Sequence, residues 1–158
     1  MAASTLSTIT QDLQSNIITI LNTDTTAITF IDKGTGTTNT SSLSAFKIVD
    51  GIPSSLLRGT GFPYIIVHTP EENTRRLTAG FSPEIMSTFE VHIDVADKKE
   101  GNVRIITDRI RRRLYDNQST TRDQNQIFLP TGSNFRNNIT QQFLPDSGER
   151  VWVNSIFV

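Results

Sequence analysis

Not one of the 158 residues is a cysteine. That absence excludes disulfide frameworks, thiol nucleophiles, thiolate zinc sites and iron–sulfur clusters together, and it leaves the redox compartment open. An excess of one charge is missing too: 15 Lys and Arg stand against 16 Asp and Glu, a formal net charge of −1. No global field therefore draws the chain to nucleic acid. Histidine is scarce, His68 and His92 being the two copies. No apolar run approaches the ~20 residues that cross a bilayer. The opening Met1 to Thr5 has neither the basic region nor the apolar stretch of a signal peptide. The expectation is a soluble chain made in the cytoplasm, on which the sequon at Asn138 carries no sugar.

What is present is modestly apolar, 35% of the residues, and rich in Thr, Ser, Asn and Gln. A single domain of this length buries roughly 70% of its unfolded surface and holds a core without staples. Neither an internal repeat nor an interdomain linker is visible, so residues 1–158 read as one domain with generous polar loops.

Leu6, Ile9, Leu13, Ile17, Ile20 and Leu21 recur at steps of three and four, the signature of one helical face. Ser4 or Thr5 caps this helix, and the Asn22–Thr26 cluster ends it. A second helix spans Val103 to Leu114, where Val103, Ile106, Ile110 and Leu114 fall within an arc of roughly 80°. Both stripes are expected to bury against a sheet. Strands are predicted at 27–31, 44–50 and 62–68. The last is so continuously apolar that both its faces should be covered. A further strand runs from Ile85 to Val95, with Phe89, Val91, Ile93 and Val95 on one side and Thr88, Glu90, His92 and Asp94 on the other. Two closing strands, 138–144 and 150–158, flank the turn signal Pro145-Asp146-Ser147-Gly148. Segments 32–43, 70–83 and 116–137 lack periodicity and read as loops, the first two mobile until a partner orders them. The order α, β, β, β, β, α, β, β predicts an α+β fold. Its sheet is mixed and mostly antiparallel, with the two amphipathic helices packed on one face.

Few residues point to chemistry. Glu90, His92 and Asp94 place three possible metal ligands along one strand face. Side chains two apart on a strand start about 7 Å from each other, and polar alternation is what any half-exposed strand shows, so no metal is expected. His68, at a strand end, reads as a surface or hydrogen-bonded residue. No G-x-S-x-G elbow supplies a nucleophile. Gly34-Thr35-Gly36 lacks the third glycine and the following helix that a phosphate site needs. No catalytic residue and no cofactor are expected, and the chain reads as non-enzymatic.

The strongest electrostatic feature is Arg104, Arg109, Arg111, Arg112 and Arg113 on the second helix. They spread around its polar arc instead of forming the stripe that tracks phosphates, which favours subunit contacts or plain surface. Ile105 lies opposite the apolar stripe of that helix, and Ile18 lies off the stripe of the first. The two isoleucines, these five arginines, and Arg75 and Arg76 of the 70–83 connection form the candidate subunit interface.

The Phe62–Val67 strand, the polar connection after it, the alternating strand ending Val91-His92-Ile93-Asp94-Val95, the helix Val103–Leu114 and the closing strand pair resemble the tail terminator proteins of long-tailed phages. The amphipathic helix ahead of Asp50-Gly51-Ile52-Pro53 is similar too. The likeness spans about residues 5–158 as order and texture, without an invariant motif. It implies a virion protein at the tail–head junction that assembles in the host cytoplasm as a ring, normally a hexamer. Such a ring caps the last ring of tail tube protein, stops its polymerisation, presents a surface to the head–tail connector or head completion protein, and lets genomic DNA through its lumen. Other neck or minor tail proteins share this α/β plan. A nucleic-acid-binding module using helix 102–115 is the alternative from a different class, and a small metal-dependent enzyme on the Glu90, His92, Asp94 face is a further one.

Overall fold

The computed structural model describes residues 9–31, 34–51, 62–76, 85–116, 136–143 and 150–157. Helix α1 spans Ile9–Asn22 and helix α2 spans Glu100–Asp116. Strands are β1 (Ile28–Ile31), β2 (Thr38–Ser41), β3 (Lys47–Val49), β4 (Tyr64–Val67), β5 (Glu71–Arg76), β6 (Ile85–Glu90), β7 (His92–Asp97), β8 (Arg136–Phe143) and β9 (Arg150–Phe157). A five-stranded sheet runs β3-β4-β7-β9-β8, while β1-β2 and β5-β6 form separate two-stranded ribbons. The pair β3–β4 is parallel and every other pair antiparallel. This is the mixed, mostly antiparallel α+β architecture that the element order predicts.

Register decides which residues face the helices. Ile48 lies beside Ile65, Ile65 beside Val95, Val67 beside Ile93 and Ile93 beside Ile156. Because side chains alternate across a sheet, these residues share one face. They form a single core cluster with Ile17 and Leu21 of α1 and with Val103, Ile106, Ile110 and Leu114 of α2. Both helices therefore pack on that one face. The α2 stripe is wholly buried, as its spacing requires. In α1, Ile17 and Leu21 are buried and Leu13 and Ile20 partly so, while Leu6 lies outside the described residues. All four residues of β4 are buried, which matches its continuous apolar run.

The start of α2 is specified locally. Asp97 accepts from the Lys98 amide at 2.8 Å and from Asn102 Nδ2 at 2.7 Å, bracketing the first turn. Burial nevertheless pushes the Asp97 carboxyl above its ordinary value, the bonds from Asn102 and Lys98 and the charges of Lys99 and Lys98 opposing it.

Several expectations are corrected. The 32–43 segment is no loop throughout, because Thr38–Ser41 pairs with β1. The 70–83 connection likewise contains β5, which pairs with β6. Isolated ribbon strands with polar side chains carry no apolar alternation, so periodicity misses them. The strand expected at 44–50 is a 3-10 turn, Leu43–Ala45, followed by β3. The long strand Ile85–Val95 is two strands that part at Val91 and join different sheets. Residues 77–84, most of the 116–137 segment and the Pro145–Gly148 turn lie outside the described residues.

One core feature is polar. Asn154 is buried under α2, donating from Nδ2 to Thr107 Oγ1 at 2.7 Å, and Thr107 in turn donates to Val103 O. Among the described residues Asn154 Oδ1 has no hydrogen-bond partner. A buried unmet acceptor costs about 1–3 kcal/mol. Asn154→Leu should therefore unfold in urea within about 1 kcal/mol of the parent, or later. Thr107→Val strands the Asn154 amide as well and should cost about 1–3 kcal/mol. The reverse ranking would mean that the Asn154 oxygen is satisfied in solution.

Candidate functional site

Two places concentrate polar side chains. The first is the seam between the helices. Asp24, just past α1, is 2% exposed. Arg109 grips it with Nε to Oδ2 at 2.6 Å and Nη2 to Oδ1 at 3.0 Å, and the same Nη2 reaches Thr26 Oγ1. A planar guanidinium fits a carboxylate in this two-pronged way, which lysine does not match. Burial pushes the Asp24 carboxyl up, but hydrogen bonds from Arg109 and Thr26 and the charge of Arg109 bring it below its ordinary value. One turn on, Arg113 donates from Nε to Ile20 O and from Nη2 to Thr23 Oγ1. It thereby covers the carbonyl end of α1, where a cation is favoured.

The arginine set thus divides. Arg109 and Arg113 fasten α1 to α2, and Arg104 pairs with Glu100 on its own helix, so these three already have partners within the chain. Arg111 and Arg112 are exposed. The side chains of Arg75 and Arg76 lie outside the described residues. Ile18 and Ile105 are not exposed apolar residues as expected: both are partly buried and pack against the core. α2 also meets β1, and α1 also meets β3 and the Leu43–Ala45 turn, so the core reaches beyond each narrow stripe. Among the described residues the exposed large apolar side chains are Ile31, 63% exposed, and Tyr115, 43%.

The second place lies on the sheet face opposite the helices. His92 and Asp94 of β7 stand there, next to Phe157 and Ser155 of β9 in register. His68, one residue past β4, is held beside them by its own amide, which donates to His92 O at 2.9 Å. His68 Nε2 lies 2.7 Å from Asp94 Oδ2 and His92 Nε2 2.8 Å from Asp94 Oδ1. Ser155 Oγ donates to Oδ1 at 2.6 Å. An ionised carboxylate only accepts, so in both contacts the imidazole Nε2–H is the donor. The His68 and His92 rings stack at 4.3 Å, and His92 stacks on Phe157 at 4.6 Å.

The trio of possible ligands along one strand, set aside on the sequence, is thereby rearranged. Glu90 ends β6, pairs across to Glu71, and stays outside the group of potential ligands, which His68 completes. The 7 Å gap between alternate residues is spanned because His92 and Asp94 lean together. Sequence reasoning missed Ser155, Phe157 and the partnership of His68. The usable signal was that the chain's other histidine, His68, also stands at the end of a predicted strand. Comparison with protein-family models, curated proteins and solved structures gives no match.

Proposed function

We propose that this chain is a non-enzymatic structural subunit of a long-tailed phage particle, the ring that ends the tail tube and meets the head connector. The observation that carries the reading is the β1–β2 ribbon. Ile28, at its base, is buried in the core, yet β2 is almost wholly exposed, and Ile31, near the turn, presents its side chain to solvent. Ile28 and Phe30 anchor β1 to the core, but a two-stranded ribbon is marginal in water, and a neighbouring subunit is the natural source of further contacts for its exposed strand and end. Repeated around an axis, one such heterologous contact closes a ring. The clamped helix pair supplies a rigid body, and Arg111 and Arg112 add charge that sets register more than affinity. The alternative of a nucleic-acid module is weakened because Arg104, Arg109 and Arg113 are engaged within the chain, leaving few cations of α2 for phosphates.

Ile31→Asp and the double variant Arg111→Glu with Arg112→Glu alter exposed side chains, so both should fold as the parent does. Particles carrying Ile31→Asp are expected to have tubes of uncontrolled length or tails that fail to join heads. Electron microscopy of the native particle should show a ring of this chain at the head-proximal end of the tube. Normal tails in the Ile31→Asp particle, with no such ring in the native one, would end this reading. So would tight, steeply salt-dependent binding of the free chain to DNA that the double arginine variant abolishes.

A further inference from the structure

We infer that His68, His92 and Asp94 form a site for one divalent transition-metal ion of the zinc class. Two imidazole nitrogens and one carboxylate oxygen suit zinc and its neighbours better than magnesium or calcium. One ligand atom from each of the three residues lies within 4.8 Å of the others. The side chains are 33%, 34% and 18% exposed, so an ion can enter and keep water in its remaining positions, as open zinc sites do. The inference rests on these side chains and stands apart from the ring reading.

The surroundings are built as ligand supports. The His68 amide bond to His92 O joins the two histidine backbones, and pairing of β7 with β9 places Ser155 against Asp94. The Ser155 hydroxyl holds Oδ1, leaving Oδ2 to serve as ligand; such outer hydrogen bonds orient metal-binding groups. Phe157 backs the His92 ring. Asp94 accepts a hydrogen bond from Nε2–H of each ring. When an ion enters, each neutral imidazole carries its proton on Nδ1 and turns the Nε2 lone pair to the metal. The rings are 18° from parallel, so they must open by rotation about Cβ–Cγ to converge at the ~2.0–2.1 Å of a metal–imidazole bond. Their partial exposure leaves room for that. The bound ion ties the end of β4 to β7 on the face that the helices leave uncovered.

The test uses the full chain, stripped of metal with a chelator and titrated with zinc in a calorimeter. Cobalt(II) absorption serves as a second readout. The expected result is one ion per chain with a dissociation constant of about 10 μM or tighter, and visible cobalt bands of a four- or five-coordinate site. His92→Phe removes a ligand but keeps the ring stack, and it should weaken binding at least about 100-fold, as should Asp94→Asn. Ser155→Ala should weaken it about tenfold, in the range of outer-partner losses. Glu90→Gln should bind as the parent does. Circular dichroism of each stripped variant confirms folding, and His68→Phe stands in for any variant that fails. Absence of binding up to about 1 mM zinc overturns the site, leaving a carboxylate-bridged histidine pair. Equal binding by the parent and His92→Phe overturns it as well.

Discussion

With Arg109 replaced by alanine, the chain should lose about 3–5 kcal/mol of stability, the usual cost of breaking a buried ion pair from one side. The cause is less the missing attraction than the Asp24 charge left behind, since that residue is 2% exposed and charged groups need partners when buried. Replacing both members by apolar side chains, Asp24→Leu with Arg109→Met, should recover much of the loss. The pH dependence has a definite sign. In the parent the folded Asp24 value lies below its ordinary one. Its stabilisation is therefore complete above the unfolded value of about 3.9 and is lost as the pH falls through the folded value. In Arg109→Ala the hydrogen bonds and charge of Arg109 are gone while burial and the bonds from Thr26 remain, so the folded value rises relative to the parent's. The penalty is then complete at neutral pH and relieved as acid protonates Asp24. Urea unfolding of parent and variant should show their gap narrowing below about pH 4. An equal gap at acid and neutral pH, or a loss under about 1 kcal/mol, would contradict the buried-pair account.

Ile110→Ala should cost about 2–5 kcal/mol, the range for emptying a large side chain from a packed core. Ile110 is fully buried at the centre of the α2 stripe, against the sheet face that carries Ile93 and Ile156. Ile105→Ala, partly buried on the same helix, should lose less, about 1 kcal/mol. Urea midpoints measured at unchanged denaturant slope decide between them. Equal losses at 105 and 110 would mean that α2 is rotated about its axis. A loss at Ile110 below about half a kcal/mol would mean that the stripe faces solvent.

Local chemistry carried much of the fold. The three- and four-residue steps of Val103 to Leu114 and of Leu13 to Leu21 have one stable solution, an apolar stripe against a sheet. The unbroken apolar run Tyr64–Val67 required cover on both faces. These features are periodic and strong enough to outweigh their context. Polar strands were illegible for the opposite reason. Thr38–Ser41 and Glu71–Arg76 have no apolar period, and only a partner strand makes them strands.

The candidate site divides along the same line. Composition had already excluded thiolate chemistry, and residue types marked His92 and Asp94. That His68 replaces Glu90 depended on which strand lies beside β7, a pairing between residues 26 to 32 positions apart. That the chain leaves the β5–β6 ribbon after Glu90 and enters the five-stranded sheet only at β7 is equally non-local. For the arginines, sequence set their positions on one helix, whereas the placement of α1 decided their work. Asp24 lies 85 positions from Arg109 in the chain, so no local pattern could mark it as the partner. Periodicity reports which way a side chain points along its own element, while packing of distant elements sets what it meets. By itself the sequence therefore determined the helices, their buried faces and the exclusion of thiolate chemistry. Tertiary structure alone decided that Arg109 and Arg113 bind the helices together, that Ile18 and Ile105 pack against the core, and that two histidines share one carboxylate.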